Sequence, residues 1–341
     1  MTSKVILAVM TSFVLAVITT GLMRRYALRN NLIDVPNVRS SHVSPTPRGG
    51  GVAIVTAFFA SILLLTSLGL LDTPILPALF IGGGAMALVG FLDDCWHLRA
   101  SVRFGVQLAA ALLVVIMLGG VPERTLAGWG LHGVWIGSLI ALLALVWVTN
   151  LFNFMDGIDG IAGSEAVFVS GAGALLNWAH GGAPGLTAAM LCLAAASLGF
   201  LRWNWPPARI FMGDVGSGFL GFTLVVFALA AIQRGTMPFE AWGILGGFFL
   251  VDATITLLRR IVRGDRWFEA HRMHAYQWLA RRWKAHLPVT FSVSVLNFTW
   301  LLPWAWLATR MPEYARYFLA AALAPLIVLV IIIGAGRKEG S

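Results

Sequence analysis

Six aspartates stand where apolar runs of this sequence give way to polar ones: Asp93, Asp94, Asp156, Asp159, Asp214 and Asp252. They come from four separate regions, each at or just inside the end of a predicted helix. A carboxylate at the centre of an apolar helix costs about 2.5–3.5 kcal/mol on insertion scales, so such groups face a polar cavity, a cation or a basic partner. Helix neighbours diverge by about 100°, so Asp93 and Asp94 are expected to do different jobs, one meeting metal and the other substrate. The plainer alternative pairs them with Arg99 or Arg103 in the headgroup layer. Between Asn150 and Gly160 the polar residues Asn150, Asn153, Asp156 and Asp159 recur every three positions, which is neighbour spacing on a helix. Caps of flanking helices would explain Asn150 or Asp156 singly. Gly213-Asp214-Val215-Gly216-Ser217-Gly218 opens an apolar run with an acid among glycines, where backbone can approach a phosphate closely. Carboxylates with an Asn carbonyl suit Mg²⁺ or Mn²⁺, and no Cys or His spacing recommends zinc. The chemistry that follows is metal-assisted phosphoryl transfer.

Two basic stretches accompany the acids. The first runs from Asp34 to Gly51 through His42, Pro45-Thr46-Pro47, Arg48 and three glycines, and is expected to cradle a phosphate or headgroup. The second, Arg259 to Pro288, carries His271-Arg272-Met273-His274 with Arg263, Arg266, Arg281, Arg282 and Lys284. Such density suits a diphosphate or an anionic lipid.

The elements that must position these residues are membrane helices. The chain has 341 residues, 58% hydrophobic and 11% charged, with mean hydropathy +0.82, against about 25% charged for a soluble domain. Runs of spanning length recur throughout and predict an all-α polytopic membrane protein of about eleven transmembrane helices, from Val5–Leu22 to Tyr317–Ile333. The first run has no convincing cleavage site and reads as a retained span. Most of the 24 lysines and arginines fall in alternate connections, leaving only Lys4, Arg124, Arg234, Arg310 and Arg316 on the other side. The positive-inside rule therefore puts the amino terminus outside and the carboxyl terminus in the cytoplasm. Residues 1–341 read as one domain with cytoplasmic loops 23–50, 93–103, 149–157, 202–215 and 259–288. In this setting the net charge of +9 is a topology signal and implies no nucleic acid. Cys95 and Cys192 read as free thiols.

The Pro-Thr-Pro-Arg-Gly-Gly-Gly loop, Asp93-Asp94, Asn-x-x-Asn-x-x-Asp-Gly-x-Asp-Gly, Phe-Met-Gly-Asp-x-Gly-Ser and the final His-containing loop occur in that order. The sequence thereby resembles the polyprenyl-phosphate N-acetylhexosamine-1-phosphate transferases over nearly its whole length. That resemblance implies transfer of an N-acetylhexosamine phosphate (GlcNAc, FucNAc or QuiNAc type) from a UDP-sugar to undecaprenyl phosphate, with release of UMP. The product would initiate O-antigen or another envelope glycan at the cytoplasmic face of a bacterial inner membrane. It further implies Asp214 and Asn153 as Mg²⁺ ligands, and Asn204, Asp159 and Phe211 as a uridine pocket. Asp93 or Asp94 would act as base near the lipid phosphate, with Asp156 in the same cluster. His271, Arg272 and His274 would grip the diphosphate, and Arg48 and His42 would touch the acceptor. A homodimer is left open. The final loop reads His-Arg-Met-His-Ala-Tyr-Gln, without the denser histidine cluster usual in the family. Two other classes fit an acidic membrane interface: a polyprenyl-lipid transporter or flippase, whose ionisable groups belong near the midplane, and a membrane phosphatase.

Overall fold

In lipid no water is available to backbone groups, so a spanning chain satisfies each N–H and C=O within its own helix. The computed structural model describes residues 3–36, 44–71, 75–266 and 271–338, and helices carry most of them. Strand β1 (Ile33–Asp34) and strand β2 (Thr46–Pro47) form one antiparallel ladder, with Ile33 opposite Pro47. The helices are α1 (Ser3–Arg29), α2 (Gly51–Ser67), α3 (Ile75–Trp96), α4 (Ala100–Leu118), the short α5 (Glu123–Leu126), α6 (Val134–Met155) and α7 (Ile161–Ala179). They continue with α8 (Pro184–Asn204), α9 (Asp214–Arg234), α10 (Phe239–Leu245), α11 (Gly247–Val262), α12 (Ala275–Trp283), α13 (Leu287–Arg310) and α14 (Ala315–Ile333).

The chain is an all-α polytopic membrane protein. Among the described residues eight helices are long and apolar enough to cross a bilayer, and α10 with α11, bent by 80°, makes a ninth if counted as one broken span. The eleven expected spans all fall on helices, but two miss that standard. Helix α2 has only 17 residues, and α7 is diluted by Glu165, Asn177 and several glycines and serines. Side chains such as Leu7, Ile18, Ile116, Phe291 and Ile332 lie exposed along the outer helices, an apolar surface of the kind that faces lipid in a membrane protein.

Helix α9 is the central post. Of its apolar window 94% is buried, against 17% for the last span, and Phe219, Leu220, Phe222 and Phe227 show why: it is apolar on every face. It packs against α2, α3 and α6. The glycine entrance of α2 sits on the amino end of α9. Gly50 and Gly51 donate their N–H groups to the carbonyls of Phe211 and Met212 at 2.9 and 2.8 Å, so these amides hold backbone together and are not free to cradle a phosphate, as the sequence had suggested. A Cβ on Gly51 would overlap the backbone of Gly216. Gly51→Val is therefore expected to destabilise the protein by ~1–3 kcal/mol through overpacking, seen as a lower melting temperature in detergent. Gly105→Ala, with open space around its Cβ, should not lower it.

Candidate active site

A cavity of about 260 Å³ lies where the amino end of α9 meets the ends of α3, α6 and α8. Asp94, Asn153, Asp156, Asp159, Phe211 and Asp214 line it, and Arg48 and Asn204 complete its wall. Distant stretches of sequence thus bring most of the expected residues to one place.

Asp214 opens α9. Its Oδ1 accepts a hydrogen bond from Asn153 Nδ2 at 2.7 Å, and its Oδ2 accepts one from Arg103 Nη1 at 3.2 Å. Arg103 also pairs with Asp93, whose other oxygen accepts the Leu98 N–H at 2.6 Å. Asp93 is thus held beside the cavity by arginine and backbone and is not among its lining residues. Asp94 turns the other way, as adjacent helix positions require. Its carboxylate accepts the N–H groups of Asp214 and Val215 at 3.1 and 3.2 Å, capping α9 from another helix. Arg48 donates to the Asp94 carbonyl. Gly213 makes this possible: its φ is +77°, and a Cβ there would run into the Asp94 carboxylate. The first amides of α9 are consequently taken by Asp94, not open to a phosphate as the glycine-flanked motif had suggested.

The polar stripe does not persist as a helix. Helix α6 ends at Met155, inside the expected loop 149–157, and Asp156 follows with non-helical φ −84° and ψ 49°. Asn150 faces away and donates to Gln107 at 2.8 Å. Asp159 accepts the Ala208 N–H at 2.9 Å and lies 3.1 Å from His286 Nδ1. The Asn204 amide accepts the Gly160 N–H at 3.0 Å and donates to the Ile210 carbonyl at 2.9 Å, so it braces the cavity wall with backbone contacts.

Asp252 does not join the other acids. It is fully buried and accepts the N–H groups of Ala275 and Tyr276 at 2.8 and 3.0 Å, capping α12. The residues expected to grip a diphosphate are also elsewhere: His271, Arg272 and His274 do not line the cavity. The His271 and His274 rings lie 4.9 Å apart, and His274 is buried against Asp252 and Tyr276. Burial, then the charges of His274 and Arg260, pushes His271 down to about 3, which keeps it uncharged near neutral pH. The basic stretch reaches the site further on. Arg281, Lys284 and His286 line an adjoining cavity of about 540 Å³ that shares Asp159, Phe211 and His286 with the first. His42 lies outside the described residues.

Several lining residues are not among the expected site residues. Asp34 arrives on β1, Gln277 on α12 and His286 just before α13. Arg103, foreseen only as a headgroup partner, bridges Asp93 and Asp214. His286 had one hint, its place at the end of the basic run before a Leu-Pro helix start.

The Asp156 carboxylate has no hydrogen-bond or ion-pair partner among the described residues. Burial first, then the charges of Asp214, Asp94 and Asp159, hold its carboxyl well above the usual carboxylate range. No three His, Cys, Asp or Glu side chains among the described residues could by themselves hold a metal ion. An Asp156 carboxylate without a partner among the described residues, beside Asp214, offers oxygen donors of the kind Mg²⁺ takes, since that ion keeps several waters and binds through one or two carboxylates plus substrate phosphates. Asp156, Asp214 and the Asn153 amide oxygen are the donors that would hold it.

Fold and site together define a polytopic membrane protein with an acidic cavity at the shared ends of its helices. Residues 76–232 match the family described as glycosyl transferase family 4. The chain is 30% identical to a probable undecaprenyl-phosphate N-acetylglucosaminyl 1-phosphate transferase of Bacillus subtilis, over 76% of this chain and 72% of that protein. It is 30% identical to a decaprenyl-phosphate N-acetylglucosaminephosphotransferase of Mycolicibacterium smegmatis, covering 81% and 75%. To a phospho-N-acetylmuramoyl-pentapeptide-transferase of Moorella thermoacetica it is 31% identical, covering 67% and 74%. The chain belongs to this family of membrane phosphosugar transferases.

Proposed function

We propose that the protein transfers an N-acetylhexosamine phosphate from a UDP-sugar to undecaprenyl phosphate, with Mg²⁺, at the cytoplasmic face of a bacterial inner membrane. The observation that carries this reading is the gathering of Asp94, Asn153, Asp156, Asp159 and Asp214 around one cavity, with Arg281 and Lys284 in the adjoining one. The relatives' printed names supply the polyprenyl phosphate and the N-acetylhexosamine. The distribution of basic residues supports the cytoplasmic face.

In this reading an oxygen of the lipid phosphate attacks the sugar-bearing phosphorus, the bond to the UMP phosphate breaks, and UMP leaves with the electron pair. Bound Mg²⁺ would supply charge neutralisation at the diphosphate. Arg103 holds Asp214 in place from one side and Asn153 from the other. Asp94 fixes the start of α9 and sets the height of Asp214 in the cavity. Phe211 offers a flat face to the uracil, and Arg281 and Lys284 attract the diphosphate. The route of the chain after transfer, into O-antigen or another envelope glycan, follows from the sugar accepted.

Purified protein incubated with undecaprenyl phosphate and a panel of UDP-sugars should release UMP with at least one of them. A flippase would release none, and a phosphatase would release inorganic phosphate from polyprenyl diphosphate instead; either result would overturn the proposal. Asp156 gives a second test. Its raised carboxyl makes the folded state lose stability as pH rises through and above the ordinary carboxylate range, because the unfolded chain ionises more readily there. A bound divalent cation relieves that cost, so Mg²⁺ should raise the melting temperature. Asp156→Asn should melt at or above wild type in EDTA and respond less to Mg²⁺. An undiminished response would remove Asp156 from the cation site.

A further inference from the structure

The far end of α9 closes on a second cavity, of about 440 Å³, whose wall includes Arg124, Trp129, Thr236, Glu240, Glu313 and Arg316. It shares no residue with the catalytic cavity. The 21 residues of α9 separate the two, about 30 Å at the rise of an α-helix, so they belong to opposite faces of the membrane.

Its charges are unusual in not pairing with one another. Arg124 donates to the Gln233 carbonyl at 2.9 Å. Arg316 donates to the Gly128 carbonyl and to the Tyr317 hydroxyl, and its guanidinium lies 4.9 Å from the Tyr317 ring centroid. Neither arginine has a carboxylate partner among the described residues. Glu240 is only 6% exposed and accepts the Trp129 indole N–H at 2.8 Å; Glu313 is exposed at the rim. Two cations and two carboxylates thus face one space without neutralising each other, which suits a ligand that carries both signs. Trp129, Tyr314 and Tyr317 are exposed around the same level, where aromatic side chains mark the headgroup layer. Guanidinium groups bind a phosphate through paired N–H donors, and a carboxylate matches an ammonium.

We infer that this cavity binds a zwitterionic phospholipid headgroup, its phosphate on Arg124 and Arg316 and its primary ammonium on Glu240 and Glu313. An anionic headgroup without an ammonium would leave both glutamates facing negative charge.

The test uses the full-length protein in detergent, with native mass spectrometry of adducts formed with dioctanoyl phosphatidylethanolamine, dioctanoyl phosphatidylglycerol or inorganic phosphate. Wild type should favour the ethanolamine lipid over the glycerol lipid by about tenfold, one decade of affinity. R124Q/R316Q should lose most of that adduct, and E240Q/E313Q should lose the preference between lipids. UMP release should stay unchanged in each. E313Q alone, at an exposed residue, keeps the test readable if E240Q fails to fold. Equal adducts in wild type and R124Q/R316Q, a preference for phosphatidylglycerol in wild type, or displacement of the lipid by equimolar inorganic phosphate would each overturn the inference.

Discussion

Asp214→Asn is expected to lower the rate of UMP release by on the order of 10³ while the protein still folds and inserts. The substitution keeps the shape of the side chain, so one oxygen can still accept from Asn153, which sits 2.7 Å away in the wild type. The charge that faces the cavity is lost, and with it the partner of Arg103 at 3.2 Å. Because Arg103 keeps Asp93, no arginine is stranded, and the melting temperature in EDTA should change little. Initial rates of purified enzyme at saturating Mg²⁺, set beside its melting curve, separate the two effects. A variant that folds and turns over at near wild-type rate would remove Asp214 from the chemistry.

Asp252→Ala carries the largest expected effect on stability. The carboxylate is fully buried and accepts from Ala275 N–H, Tyr276 N–H and the Thr256 hydroxyl. Its loss strands these donors in a dry interior, at about 1–3 kcal/mol for each buried group left unsatisfied. A total of ~3–5 kcal/mol is expected, the range for breaking a buried charged contact. Helix α12 then loses the cap that fixes Tyr276, whose hydroxyl donates to the Phe154 carbonyl at 3.0 Å, and Gln277 in the cavity wall. Activity should fall with stability, whereas Asp252→Asn, which retains one acceptor, should lose less of both. Thermal unfolding in detergent decides the matter: an alanine variant that melts with wild type would show that Asp252 does not hold α12.

Asp94 and Asp252 look alike in the sequence, each an acid among apolar residues, and in the fold both cap the start of another helix. Only Asp94 does so at the cavity. That distinction was not legible beforehand, because a carboxylate's task depends on which helix start comes to lie opposite it. The same holds for the final loop. Its basic density was plain, but which of its side chains come near the site, Arg281 and Lys284 in the adjoining cavity rather than His271 and His274, is set by how α12 docks, and buried Asp252 holds the start of that helix. Asp34 and Gln277 are not among the expected site residues because single polar residues in loops and on short helices are ordinary.

The sequence by itself determined the membrane class and the all-α architecture, because burial of backbone in lipid allows few alternatives and leaves a composition and run lengths that can be read directly. Loop placement was read less well, since helices α6, α8 and α9 run into stretches expected to be loops. Tertiary structure alone decided which of the acids meet. Asp94, Asp156 and Asp214 converge because α2, α3 and α6 pack on the amino end of α9 at glycine-sized distances, and contacts between residues so far apart along the chain leave no local pattern in it.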